Sequence, residues 1–296
     1  MYFRRVRLRL ALAAAALLAS GCPPKPSEGP PPPPPRDVDD IIATVNAQRI
    51  AADEPLYAPY ITVSLSLRDD KGRRHDLDLR GSMVVRRPRS LWMRLDHALE
   101  EGQVELGSNE AEYWLSIRRD YATMWWGRHE HVGKPEVEPL PIDPARIADT
   151  LGLRMLPARG ALGPFRRCFE RYDELTYGRN DPIDGFFADR VYAVDRYPPF
   201  LIRRIDFLDR AGQAEMVVWL DDYCETDGHG LFPRKLRLHW PKRDSSMTLG
   251  IDRLRAGAKV NPRVFVRPRT PPEGIRRIVQ VDAACEAAAS PGASGE

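Results

Sequence analysis

Apolar and polar residues alternate through residues 61–67, where Ile61, Val63, Leu65 and Leu67 are separated by Thr62, Ser64 and Ser66. That period of two predicts a half-buried strand. The turn-rich Asp69-Asp70-Lys71-Gly72 follows, then a return strand with Leu77, Leu79, Met83 and Val85 on one face and Asp76, Asp78 and Arg80 on the other. The pair reads as a hairpin in which Gly81 marks a bend or bulge, and Pro88 ends the second strand. Leu91, Met93 and Leu95 repeat the alternation, and further strand-like runs cover residues 103–106, 112–118 and 121–129. After an interruption the pattern resumes at residues 165–177, 190–195, 201–208, 214–223, 236–240 and 247–254. Short turns such as Asp209-Arg210-Ala211-Gly212 favour antiparallel neighbours over helical crossovers. The chain is expected to be mainly β (α+β), an antiparallel incomplete barrel of about ten strands, with no internal repeat.

Two stretches carry helical spacing instead. Residues 37–54 open on Asp37, an acidic cap, and place Val38, Ile41, Ile42 and Val45 on one face, which predicts an amphipathic helix. In residues 139–157 Pro144 follows Asp143 at a helix start, Ile147 and Leu151 share a face, and Gly152 can end the helix. A short helix therefore interrupts the sheet.

The N-terminus is of another kind. Arginines at 4, 5, 7 and 9 precede an unbroken apolar run over residues 10–19, which ends in Ala19-Ser20-Gly21-Cys22. A basic segment before a short apolar one is the anatomy of a secretory signal, and crossing a bilayer core would take ~20 apolar residues. The small residues before Cys22 resemble the bacterial lipobox, whose cysteine is acylated, palmitate included; an ordinary secretory signal with an incidental cysteine is the rival. Arg4-Arg5 matches a twin-arginine leader only in part. Several acyl chains would give the stable anchoring that one does not. Residues 22–36 hold nine prolines in fifteen positions, a polyproline spacer that spans ~45 Å. Residues 283–296, small and polar, read as a disordered tail. The expected organisation is a signal peptide at 1–21, a tether at 22–36, one domain at 37–282 and the tail.

Composition narrows the function classes. The chain has 296 residues, 43% hydrophobic and 29% charged, with 45 Lys+Arg against 42 Asp+Glu. Its net charge of +3 becomes −1 once the four leader arginines are discounted, so no general attraction to nucleic acid is expected.

The order of elements, an N-terminal helix, a meander, a helical insert and a second meander behind a lipobox, resembles the lipoprotein-localisation proteins LolA and LolB. Local phrasing is similar too: residues 81–89 (GSMVVRRPR), Leu106-Gly107-Ser108-Asn109 followed by Tyr113-Trp114, Leu140-Pro141-Ile142 with Leu151-Gly152-Leu153, and residues 236–240 before a strand at Met247. The resemblance covers residues 37–266. It implies an incomplete β-barrel lidded by helices, whose apolar cavity takes up acyl chains, with the helix of Ile147 and Leu151 as lid and that of residues 37–50 across the open side. The inward positions Leu65, Leu67, Met83, Val85, Met93, Leu95, Leu115, Met216, Val218, Leu236 and Leu238 are the candidate cavity wall; the same residues suit a solid core equally well.

No catalytic cluster stands out. His129 and His131, with His75 or His229, could be arranged about zinc, but flanking Gly127, Gly133 and Pro135 favour two solvated loop histidines. Asp221-Asp222 and Asp69-Asp70 read as turn residues. Ser108 lacks the flanking glycines of a nucleophile elbow. Trp125 and Trp126 are expected to serve packing before lipid or partner contact. Beyond Cys22, Cys168 and Cys224 lie on expected strands and could pair, Cys285 falls in the tail, and no C-x-x-C occurs. The expectation is a non-enzymatic envelope protein without cofactor or metal. It would be lipid-anchored, in the outer membrane and facing the periplasm, and would bind an acyl chain or lipoprotein cargo. The alternative is a protein-binding or envelope-stress sensory module on the same scaffold with a filled core, partnered by another envelope protein.

Overall fold

The computed structural model describes residues 33–49, 54–68, 72–97, 100–118, 121–181, 185–226, 230–256 and 259–289. The signal segment, Cys22 and nearly all of the tether lie outside them. Asp37 caps helix α1 (Val38–Gln48) by accepting from the Asp39 amide at 2.8 Å, and Asp39 and Asp40 occupy the first turn, where they face the positive helix end. Val38, Ile41, Ile42 and Val45 are its buried side, as the spacing predicts.

Two meanders follow. The first runs through β1 (Leu56–Arg68), β2 (Arg74–Arg86), β3 (Ser90–His97), β4 (Glu100–Ser108), β5 (Glu112–Ile117) and β6 (Thr123–Arg128). The second runs through β7 (Phe165–Cys168), β8 (Tyr172–Asp181), β9 (Gly185–Asp195), β10 (Ile202–Leu208), β11 (Ala214–Glu225), β12 (Leu231–Trp240) and β13 (Ser245–Ile251). Between them lies helix α2 (Pro144–Thr150), and beyond them β14 (Arg277–Gln280) and α3 (Ala283–Ala289). All strands belong to one fourteen-stranded sheet in the order β14-β6-β5-β4-β3-β2-β1-β13-β12-β11-β10-β9-β8-β7. The meanders are joined where β1 pairs antiparallel with β13, in register Leu65↔Met247 and Val63↔Leu249. Among the described strands only β14, parallel to β6, departs from the antiparallel rule. The sheet is open, with β14 and β7 at its edges. The expected architecture holds, and the strand number rises from about ten to fourteen.

Two local features follow from sterics. The register of β1 shifts between Ala58 and Ile61, opposite Gly81; a Cβ on Gly81 would fall 1.9 Å from the Arg94 carbonyl oxygen, so only glycine allows the strands to close there. At Gly107 the Trp114 ring takes the space a side chain would need, 2.2 Å from an added Cβ.

The described segment past Asp282 departs from expectation. Residues 283–289, read as the start of a tail, are helical, and Cys285 is buried. Alanine has the highest helix propensity, and five of the seven residues from 283 to 289, all but Cys285 and Glu286, are alanine. Residues 290–296 lie outside the described residues. Among the described residues no helix is long and apolar enough to cross a membrane.

Candidate functional site

The site is the apolar face of the sheet and the elements that cover it. Leu65 and Leu67 on β1, Met83 and Val85 on β2, Met93 and Leu95 on β3, Leu115 on β5, Met216 and Val218 on β11, and Leu236 and Leu238 on β12 are all buried in one apolar cluster. Cross-strand pairing makes them contiguous, with Met83 opposite Met93, Val218 opposite Leu238, and Leu238 opposite Met247. Leu106, Met247 and Leu249 belong to the same wall and were absent from the sequence-based set, although the same alternation marks them. The wall encloses little space. Beside Leu65 and Leu67 is a void of about 20 Å³, and a second of about 40 Å³ lies under the end of α1. These volumes suit a few waters at most.

The space the sheet leaves is filled by α1, by α2 and by the loops around α2. Asp143 caps α2, accepting from the Arg146 amide at 3.1 Å, and Pro144 occupies its first turn, where the missing N–H is no loss. Ile147 and Leu151, the two expected cover residues, are fully buried with Ala148. The two ends of the cover meet at residues 154–156. Asn46 on α1 donates to the Leu156 carbonyl at 3.0 Å and accepts from its amide at 2.7 Å, and Arg49 Nη1 donates to the Arg154 carbonyl.

At its rim α2 is fastened by charge. Asp149 pairs with Arg190 of β9 at 3.2 Å, and with Arg89 and Arg154 at 3.5 Å each. Arg146 reaches Glu215 on β11 and Asp143. Burial pushes the Asp149 carboxyl up, but Arg190, Arg89 and Arg154 outweigh it and hold the group below the usual carboxylate range. His129 stands at the same cluster. Burial first and Arg89 second push its imidazole down to about 4, so it is neutral at pH 7, with Nε2 3.0 Å from the hydroxyl of buried Ser108. Outside this rim lies a cleft of about 700 Å³ whose lining mixes the charged Arg146, Arg179, Asp189 and Glu215 with Leu140, Leu208 and Trp240.

Several expectations are corrected here. His129 and His131 are not solvated loop residues: His131 is buried and sits 2.8 Å from Asp282, which also accepts from the Arg128 amide at 2.8 Å. They turn to different partners because β6 ends at Arg128 and a 3-10 turn follows, which breaks the shared strand face. His229 lies outside the described residues. Cys168 and Cys224 are free thiols. They occupy β7 and β11, with β8, β9 and β10 between; strands spaced ~4.8 Å apart place them far beyond disulfide reach. Asp221 and Asp222 are part of β11 and pair with Arg237 and Arg234. Trp125 is buried, and Trp126 carries the Arg267 guanidinium 3.7 Å above its ring, in line with packing.

No protein-family model matches the chain, and no curated protein matches it. Solved structures do resemble it. In the course of its sheet the chain is similar to LolA-type proteins. A LolA superfamily protein from Nitrosomonas europaea aligns over 79% of this chain and 99% of its own, at 9% identity and TM-score 0.48. A DUF1329 family protein from Desulfovibrio piger aligns over 76% and 94%, at 12% identity and TM-score 0.48. A Vibrio parahaemolyticus domain assigned to outer membrane lipoprotein sorting gives 76% and 94%, 12% and 0.46.

Proposed function

We propose that this chain is a non-enzymatic, lipid-anchored envelope protein that takes up an acyl chain or a lipoprotein on its apolar sheet face when α2 moves aside. The observation that carries this reading is how α2 is held. Its inner face is apolar, whereas its rim depends on the Asp149 cluster with Arg89, Arg154 and Arg190. A buried ion group is a poor way to stabilise a permanent core, since well-packed apolar residues often do as well or better. It suits a cover that separates into water, where every member is solvated again. Beneath it, Met83, Met93 and Met247 are adaptable enough to repack around chains of different length. Each methylene buried contributes ~0.8 kcal/mol, so eight carbons contribute ~6 kcal/mol before ordering costs. In this reading the lipobox cysteine carries the anchor, which sits in the outer membrane and faces the periplasm.

A second reading has its own support. The voids against the apolar sheet face are only about 20 and 40 Å³, which favours a filled core used as a protein-binding or envelope-stress sensory module. The two are separated by purifying the full chain as Cys22→Ser from the envelope, analysing it for bound lipid by native mass spectrometry, and titrating it with an acyl fluorophore. Bound lipid and displacement of the fluorophore by fatty acid are expected. A protein that carries no lipid and takes up no fluorophore belongs to the second reading.

A further inference from the structure

Arg49, at the end of α1, stands apart from the Asp149 cluster. Its side chain is buried, 9% exposed, and Nη1 donates to the Arg154 carbonyl, but Nε finds no acceptor among the described residues. The titratable groups that face it are the phenols of Tyr177, Tyr192 and Tyr223 and the guanidinium of Arg190. Burial pushes the Tyr177 and Tyr223 hydroxyls well up, so neither supplies an anion at neutral pH. Arginine does not shed its proton to escape burial. The C-terminal end of α1 offers only about half an elementary charge in compensation. Among the described residues this buried cation therefore lacks a full counter-charge.

Next to it is the void of about 40 Å³, bounded by Arg49 and by the apolar side chains of Val45, Ile202, Ile205 and Leu220, with Leu231 half-buried at the same pocket. One wall is cationic and the others are mainly hydrocarbon; the polar groups of Gln48, Thr150 and Tyr223 at this pocket already donate to the Pro199, Ile147 and Ile202 carbonyls. An inorganic anion would satisfy the first and waste the second; an alcohol would do the reverse. We propose that Arg49 is the counter-charge of a binding site for an oxyanion with an apolar tail, a carboxylate or a phosphate monoester, whose head meets the guanidinium while its first carbons enter this pocket. The proposal rests on the amphiphile-binding reading above for the nature of the tail, and adds the head group. Charge-assisted, bidentate pairing is the geometry arginine offers such a group.

The test is calorimetric titration of the full chain, as Cys22→Ser so that no detergent is present, with decanoate, decyl phosphate, inorganic phosphate and decanol. Decanoate and decyl phosphate should bind roughly tenfold or more tightly than decanol or inorganic phosphate. Arg49→Met should remove that advantage, and Leu231→Trp, which narrows the pocket and leaves Arg49 in place, should weaken decanoate binding to a similar extent. The site is overturned by decanol binding as tightly as decanoate, or by inorganic phosphate equalling decyl phosphate. Wild-type decanoate affinity in a folded Arg49→Met protein overturns it too. If Arg49→Met does not fold, unchanged decanoate affinity in Leu231→Trp overturns it instead. Uptake of the acyl fluorophore that survives Arg49→Met with no loss of affinity would sink this site and leave the sheet-face reading standing, whereas no binding of any probe would sink both.

Discussion

Charged residues that the alternation of the strands does not mark decide the chemistry of the cover. Asp149 is buried and pairs with half-buried Arg190, and His129 shares their surroundings as a neutral imidazole. The linkage to pH has a definite sign. In the unfolded chain His129 titrates near 6.5; in the folded protein its pKa is about 4, so the unfolded state takes up a proton first. Stability from this group is complete above pH 6.5 and is lost progressively as pH falls towards 4. Asp149, whose folded value is depressed, contributes fully above its unfolded pKa of 3.8 and loses that contribution only below it. Urea midpoints measured from pH 7 to pH 4.5 should fall in the wild type and fall less in His129→Gln; parallel curves would show that His129 is not so situated. Lysine at Met93 or Leu95, natural choices for probing a cavity wall, would place an ammonium in a fully buried position and unfold the protein before reporting on binding. At this scale the inward residues were legible, because burial follows the period of two. The Asp149 cluster was not, because its members come from the β2–β3 turn, α2, the segment after α2 and β9, and nothing in their local sequence announces that they meet.

At the level of elements, α1 and α2 could be read from caps and spacing, since Asp37 and Asp143 act within their own first turns. Their role as fill for the open sheet was implied by family resemblance alone. The weight α2 carries can be measured. Ile147→Ala is expected to destabilise the fold by ~2–5 kcal/mol through lost burial and the cavity left behind, read as a lower urea midpoint. In the proposed reading it should also increase acyl-fluorophore uptake, whereas a permanently filled core would show the first effect and not the second. Strands were harder to separate where turns lack their usual residues. Residues 165–177 read as one run, yet Cys168 ends β7 and Tyr172 begins β8. The chain reverses through Phe169 to Arg171, with no glycine, proline or asparagine. Stacking of Phe169 on Tyr172, with ring centroids 4.6 Å apart, helps hold that turn. β14 has four residues and exists as a strand through its parallel pairing with β6, a partner some 150 positions away that no local pattern specifies.

At the scale of the whole molecule, the lipobox reading and the sheet make separate predictions. If Cys22 is the acylated residue, Cys22→Ser should move the protein from washed membranes to the soluble fraction in a fractionation blot; a variant that stays with the membrane would remove the tether from the account. The sheet itself rests on one long-range decision, the pairing of β1 with β13, which joins the two meanders and sets the width of the apolar face. By itself the sequence determined which residues face inward, where the two covering helices start, and that the strands run antiparallel. These are short-range consequences of side-chain period, capping and turn length. Only the tertiary structure decided that the inward face is filled, that Cys168 and Cys224 lie strands apart, and that Arg49 is buried beside three tyrosines. Those outcomes depend on which distant segments come to lie against each other, and residues far apart along the chain carry no mark of it.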